Sequence, residues 1–240
     1  AYSSGFYGFH PFILLNHDET LDSLFTLAHE SGHSAHTLFS NANQPMASAD
    51  YTIFVAEIAS TFNEHNLLDY LVKKSKTKEQ KIALWDMAET RHFGPFFRQT
   101  LFATYEYKAN ELVDQGMPIT EQSLSKIMID LYKHFYDIDI TEENGKEYVW
   151  AYIPHLYHTP FYVYQYATSY SASLKIYDNV KNNKPHAMDD FLGLLKSGGS
   201  DYPVEQAKKA GADLTNKETF MAVIKRFNQL VDELEKTLEQ

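Results

Sequence analysis

The sequence predicts a mainly α-helical protein, and three observations carry that expectation. Apolar residues recur at spacings of three and four through most of the chain, as in Leu21, Leu24, Phe25 and Ala28. Residues that start helices stand before these runs: Asp18 or Thr20, Asp50, Thr77 with Gln80, Thr120, and Thr215 with Glu218. Within one run falls His29-Glu30-Ser31-Gly32-His33, whose histidines share a face only if the segment is a helix.

Taken in order, residues 1–17 carry Gly5, Gly8 and Pro11 among aromatics and read as loop with short extended structure. A helix follows over about 19–40, and Asn41-Ala42-Asn43-Gln44-Pro45 breaks it. Asp50 is the expected cap of a second helix running from Tyr51 to about Lys74. The capping box Thr77 to Gln80 opens a helix to about Asp114, kinked at Gly94-Pro95. Its dense aromatics, Phe93, Phe96, Phe97, Phe102, Tyr105 and Tyr107, read as packing. Gly116-Met117-Pro118 ends it, Thr120 caps a helix to about Tyr136, and Asp137-Ile138-Asp139 is a polar connection without the spacing of a calcium loop. Thr159-Pro160 marks a further helix start, with His155 and Tyr157 in the loop before it. The remainder, from about Met188, is helical, broken by a turn over Ser197–Pro203 and ending in an amphipathic helix from the Thr215 box to about Glu239. Gly198-Gly199 belongs to that turn; close approach of a peptide backbone is its other use.

Composition narrows the function classes. The chain of 240 residues is 44 % hydrophobic, enough for a substantial core, and lacks repeats, low-complexity tracts and Gly/Ser linkers, so residues 1–240 are expected to form a single domain. No apolar run reaches the roughly eighteen residues of a membrane span, and no signal peptide is visible. The opening at Ala1, directly in Tyr2-Ser3-Ser4-Gly5, reads like the middle of something larger. With no cysteine there is no disulfide, thiolate metal site or cysteine nucleophile, which fits a reducing compartment, and the cytoplasm is expected. A net charge of −11 argues against nucleic acid or an anionic membrane as partner. The acidity reads as a solvated surface, with attraction of cationic peptides as the alternative.

His29 and His33 lie one helical turn apart, so both imidazoles can meet one divalent cation while Glu30 leans over its open position. Zinc suits such a site: it takes three protein ligands and a water that a neighbouring carboxylate can deprotonate. The plain alternative is a pair of ordinary histidines. The third ligand is expected from the second helix, where Glu57 follows His33 by twenty-four residues among apolar neighbours, as in gluzincin-type sites. Glu64, nearly two turns on, is placed to accept a hydrogen bond from a ligand histidine. His36 is excluded as the third ligand of a His-x-x-Gly-x-x-His arrangement because Phe39 stands where the last histidine belongs, and it reads as packing or support. In Trp150–Tyr166, His155, Tyr157 and Tyr164 can supply donors to a developing oxyanion, although spacing alone favours an aromatic core with Tyr162, Tyr166 and Tyr170 as a stripe.

These stretches together, His29–His36, Phe54–Glu64, Pro154–Tyr157 and Pro160–Tyr166, resemble the M3 metallopeptidases, specifically the oligoendopeptidase F group. Ala1–Gly5, Gly198-Gly199-Ser200 and Tyr202-Pro203 resemble it as well, so the likeness covers nearly the whole chain. It implies a multi-helical zincin catalytic domain of the thimet oligopeptidase/neurolysin-like fold, with two lobes around a deep channel that admits short unfolded peptides. It implies one Zn²⁺ held by His29, His33 and Glu57, Glu30 as general base and proton shuttle, and Tyr164 as oxyanion-stabilising tyrosine. Tyr157 has the spacing of the second substrate-contacting tyrosine, and His155 matches a family histidine if a short gap is allowed. Ser31 departs from the family's usual Phe, which alters packing behind the helix and leaves ligand spacing intact.

Family members are more than twice this length, so the chain resembles their C-terminal catalytic part without the N-terminal lobe. The channel would then need that lobe or a neighbouring chain. The expected activity is zinc-dependent cleavage of internal bonds in short peptides. The alternatives are a metallocarboxypeptidase, which would need Arg91, Arg98 or a Lys to seize a terminal carboxylate, and a non-catalytic helical fragment.

Overall fold

A short antiparallel hairpin, β1 (Tyr2–Ser4) with β2 (Phe12–Leu14) in the register Ser3 opposite Ile13, leads into the first helix of the computed structural model, which describes residues 1–142 and 144–239. The chain is mainly helical and divides into two compact units, Ala1–Phe93 with Thr168–Gln240, and Gly94–Ala167. Among the described residues no helix is long and apolar enough to cross a membrane.

In the first unit α1 (Leu21–Asn43) starts at Thr20, whose hydroxyl oxygen accepts from the Ser23 N–H, while Asp18 accepts from Thr20 itself. It runs about a turn past its expected end and stops where Gln44, preceding Pro45, is forced into extended backbone. A 3₁₀ turn (Met46–Ser48) occupies the expected loop. The next helix, α2 (Ile53–Lys74), corrects the assignment of Asp50 as cap: Thr52 holds that position, without a side-chain bond. The Tyr51 hydroxyl is held against α1 by Thr37 and the His33 carbonyl, which keeps the chain extended through Thr52.

The helices α1 and α2 touch closely at Gly32, where a Cβ would lie 2.5 Å from the Ala59 oxygen and 2.6 Å from the Ser60 Cα. On its other side α2 meets α7 (Tyr164–Lys181), whose part from Thr168 onward belongs to this unit. Fully buried Ser169 and Ser173 donate to the Phe54 and Ile58 carbonyls, one turn apart, so these hydroxyls cost nothing in lost hydrogen bonds. Phe25, Ile58, Phe62, Leu68, Phe93 and Leu174 form the centre of the core.

The capping box at Thr77 and Gln80 opens α3 (Lys78–Ala88), as predicted. A π-helical turn (Glu89–Phe93) stands just before Gly94-Pro95, where the sequence predicts an interruption of the helix, and α4 (Gly94–Asp114) follows. Proline has no N–H to give to the turn before it, and a widened turn accommodates that loss. Phe93 is locked edge-on against Phe227 and Tyr170, at 5.2 and 6.0 Å between ring centres.

The second unit holds α4, α5 (Glu121–Tyr136), a 3₁₀ turn (Lys146–Tyr152), α6 (His155–His158) and the start of α7. Thr120 caps α5 in a box with Ser123. Leu101, Phe102, Tyr105, Met128, Leu131, Ile140, Val149 and Val163 make its core. Of the aromatics read as packing, Tyr107 is an exception and is exposed. The helix start expected at Thr159-Pro160 falls instead at Tyr164, and His155 and Tyr157 sit on α6 rather than in a loop. The cause is a long-range bond: the Phe161 N–H donates to buried Glu106 at 2.6 Å, and Phe161 adopts a left-handed φ of 58°.

Back in the first unit, α8 (Ala187–Lys196), the Ser197–Pro203 turn, α9 (Pro203–Lys209) and α10 (Lys217–Glu239) follow. Gly198 takes a φ of 51° and the Gly199 N–H donates to the Ser48 carbonyl at 2.9 Å. The backbone that this glycine pair admits is thus the chain's own. The predicted Thr215–Glu218 box is not made: α10 starts one residue later than expected, at Lys217, and Asn216 accepts from the Glu218 N–H at 2.9 Å, while the Thr215 hydroxyl donates to Asp213.

Candidate metal centre

Residues four apart on α1 put His29 and His33 on one face, with Nε2 atoms 3.1 Å apart. Glu57, on the facing turn of α2, places Oε2 at 3.2 Å from the first and 3.7 Å from the second. Tetrahedral zinc with bonds of about 2.0–2.1 Å holds its ligand atoms about 3.3–3.4 Å apart, so these three atoms outline one face of such a site. Among the described residues no other group of three or more His, Cys, Asp and Glu side chains comes as close together. Glycine at position 32 lets the helices approach this closely.

The charges converge in the same way. Burial opposes a charge on His29, but bonds to Glu57 and Glu64 outweigh it and push the imidazole up to about 10. Burial likewise opposes the Glu57 carboxylate, yet the bond to His29 takes that group down to about 2. His33 is held below its ordinary value by burial, with the His29 charge adding and Glu57 opposing. A cation in the triangle would displace the His29 proton, since a ligating imidazole is neutral, and two imidazole nitrogens with one carboxylate oxygen are a donor set that fits a divalent metal.

Around this face, the Ser60 hydroxyl donates to Glu57 Oε2 at 2.8 Å, and Glu64, buried, meets His29 Nδ1 at 2.5 Å. The supporting bond expected of Glu64 is therefore present. Glu30 is 7 % exposed, and its charge is felt at His33. His36 is fully buried and lies flat on the Tyr51 ring at 3.6 Å; burial, then the His33 charge, pushes it down to about 3. Neither of its ring nitrogens has a hydrogen-bond partner among the described residues, and His36 is not among the three side chains whose ligand atoms come together. Ser31 bonds the Leu27 carbonyl of its own helix.

His155, Tyr157 and Tyr164 belong to the second unit. There His155 stacks on Tyr162 at 5.3 Å and meets Tyr166 edge-on, while exposed Tyr157 points its hydroxyl to the Trp150 carbonyl at 3.4 Å. Tyr164 is the first residue of α7 and is 42 % exposed; His158 is exposed as well. The stripe of Tyr162 and Tyr166 is real, with ring centres 5.6 Å apart.

Sequence reasoning offered Arg91 only as a carboxylate-seizing cation. The structure commits its guanidinium elsewhere: Nε to Glu64 at 3.0 Å, Nη1 to Asp22, and Nη2 to the Thr26 hydroxyl at 3.2 Å. Nothing local signals this, since the partners lie 27 to 69 positions away.

The sequence profile described as Peptidase family M3 matches residues 1–226. Oligopeptidase PepF of Bacillus subtilis is 40 % identical over 241 residues, a match covering 99 % of this chain and 35 % of the relative. An oligoendopeptidase F homolog of Borreliella burgdorferi is 39 % identical, over 100 % of this chain and 40 % of its own. The crystal structure of oligoendopeptidase-F from Enterococcus faecium superposes with a TM-score of 0.81 at 36 % identity, over 91 % of this chain and 40 % of that one. The chain thus spans 35–40 % of the length of these curated relatives.

Proposed function

Because the chain belongs to peptidase family M3, we propose that it is a zinc-dependent endopeptidase that hydrolyses internal bonds of short unfolded peptides. The observation that supports this best is the triangle of His29 Nε2, His33 Nε2 and Glu57 Oε2, whose edges of 3.1, 3.2 and 3.7 Å bracket those of a tetrahedral zinc site and whose donor chemistry zinc takes. In this reading those three residues hold one Zn²⁺ and the 240 residues act as one catalytic domain. A bound Zn²⁺ lowers the pKa of water and polarises a carbonyl. Glu30 takes the proton of the attacking water and delivers it to the leaving amine. Glu64 keeps the His29 ring in one orientation through Nδ1. Tyr164, with Tyr157 and His155, donates to the developing oxyanion, a role that rests on the family motif. The curated relatives extend well beyond the matched part, so we infer that further sequence or a neighbouring chain completes the substrate channel. The cysteine-free composition supports a reducing compartment, and we place the activity in the cytoplasm.

Metal analysis of the purified chain, with cleavage of a quenched fluorescent peptide, tests this reading. One zinc per chain is expected, with internal cleavage that stops on chelation and falls about 10²–10⁴-fold in Glu30→Gln. A chain that binds no zinc, or binds zinc and cuts nothing, overturns the proposal; release of C-terminal residues alone turns it into a carboxypeptidase.

A further inference from the structure

We propose that Arg91 is a positioning residue for the metal centre, fixing the Glu64 carboxylate that in turn sets the His29 ring against His33 and Glu57. The inference rests on the zinc reading above. Three nitrogens of one guanidinium are anchored, to Glu64 on α2 and to Asp22 and Thr26 on α1, so the fork spans the two helices that carry the ligands. Glu64 divides its carboxylate between the two sides, Oε2 to Arg91 at 3.0 Å and Oε1 to His29 Nδ1 at 2.5 Å. At 4 % exposure its charge would be costly beside an imidazole alone, and the guanidinium supplies the compensating charge. A planar fork orients a carboxylate in a way that a lysine ammonium does not.

The backbone supports the same conclusion. Arg91 stands in the middle of the π-helical turn Glu89–Phe93, held by Phe93 between Phe227 and Tyr170. Such widened turns are uncommon and recur at functional sites, where they aim a side chain that an α-helical turn would direct elsewhere. Metal–ligand distances tolerate only about 0.2 Å of error, so a small rotation of the His29 ring is felt at the metal.

The test is a double-mutant cycle on the 240-residue chain, read by zinc affinity in competition with a chromogenic chelator and by the visible spectrum of the Co²⁺-loaded protein. Arg91→Met is expected to weaken zinc binding about ten-fold and shift the cobalt bands, the lower side of the effect of supporting residues. In a Glu64→Gln background the same substitution is expected to change affinity less than about two-fold, because the carboxylate it acts through is gone. Equal losses in the two backgrounds, or wild-type affinity in Arg91→Met, overturn the proposal and leave Arg91 a structural ion pair. Should Arg91→Met fail to fold, Arg91→Lys is read in its place, with at least about a three-fold loss expected and none overturning the inference. A wild-type chain that binds no zinc overturns the functional reading and this inference with it, a result distinct from loss of the Arg91 effect alone.

Discussion

Replacing Gly32 by alanine tests how far the metal centre depends on the distance between α1 and α2. The added Cβ would sit 2.5 Å from the Ala59 oxygen, 2.6 Å from the Ser60 Cα and 2.8 Å from the Ala59 carbonyl carbon. All three are backbone atoms and cannot swing aside. Ordinary contact begins near 3.4 Å, so the helices must part by about 0.9 Å at this point. Gly32 lies between the two histidines on one helix, and Ala59-Ser60 lies within a turn of Glu57 on the other. The opening therefore falls on both edges that reach Glu57 Oε2, from His29 Nε2 at 3.2 Å and from His33 Nε2 at 3.7 Å. An opening several times the roughly 0.2 Å tolerance of a metal–ligand bond removes Glu57 from the site, and zinc affinity is expected to fall about 100-fold or more. Stability without metal responds differently. Helix propensity gains about 1 kcal/mol and overpacking costs about 1–3 kcal/mol, leaving a net loss of about 0–2 kcal/mol. Urea unfolding in chelator and zinc competition measure the two quantities separately. A Gly32→Ala chain whose zinc affinity stays within about two-fold of wild type would refute the claim that close helix approach builds the site.

Three further expectations concern the scaffold. Burial opposes the Asp69 charge, but bonds from Lys181 and Tyr177 and the Arg226 charge outweigh it and hold the carboxyl low. Its contribution is therefore present above the unfolded carboxyl value of about 3.9 and lost as pH falls through the lower folded value. Asp69→Asn should cost about 2 kcal/mol at pH 7, below the cost of breaking a fully buried pair because Lys181 is 40 % exposed, and urea midpoints should converge with wild type as pH drops below about 4. Gly198→Ala forces a side chain into φ 51° and against the Ser40 hydroxyl at 2.7 Å, and thermal melting should show a loss of about 2 kcal/mol. Asn216→Ala should cost about 1 kcal/mol in urea unfolding, whereas Thr215→Ala should cost less than half of that if Asn216 is the cap.

What was legible in the sequence is what depends on neighbours within a few turns. The caps at Thr20, Thr77 and Thr120 are bonds across three residues, and each is made as their residue types predict. The meeting of His29, His33 and Glu57 was legible for a related reason: two amphipathic helices joined by a short loop return alongside each other, so a carboxylate about two dozen residues on comes back to the same depth. Readings failed where a distant bond overrode a local preference. Asp50 is a good cap residue, but Thr52 holds that position because Tyr51 is tied to α1; the miss at Thr215 is local, Asn216 capping one residue later. The start of α7 is delayed by Glu106, 55 positions from the Phe161 N–H it accepts.

Arg91 extends this division to the chemistry. The residues that touch a metal are constrained by helix geometry over four residues and by a single hairpin of helices, which a sequence pattern can carry. Of the residues that would hold them still, Glu64 is readable too, since it lies nearly two turns from Glu57 on the same helix, whereas Arg91 reaches Glu64 across 27 positions and Asp22 across 69, through a π turn that no periodicity announces. A support on the same two helices as the candidate ligands is therefore readable from spacing, and one brought in from another element is not. Substitutions at Arg91 or Gly32, neither of them a ligand, should accordingly separate zinc affinity from folding more cleanly than removal of a histidine would.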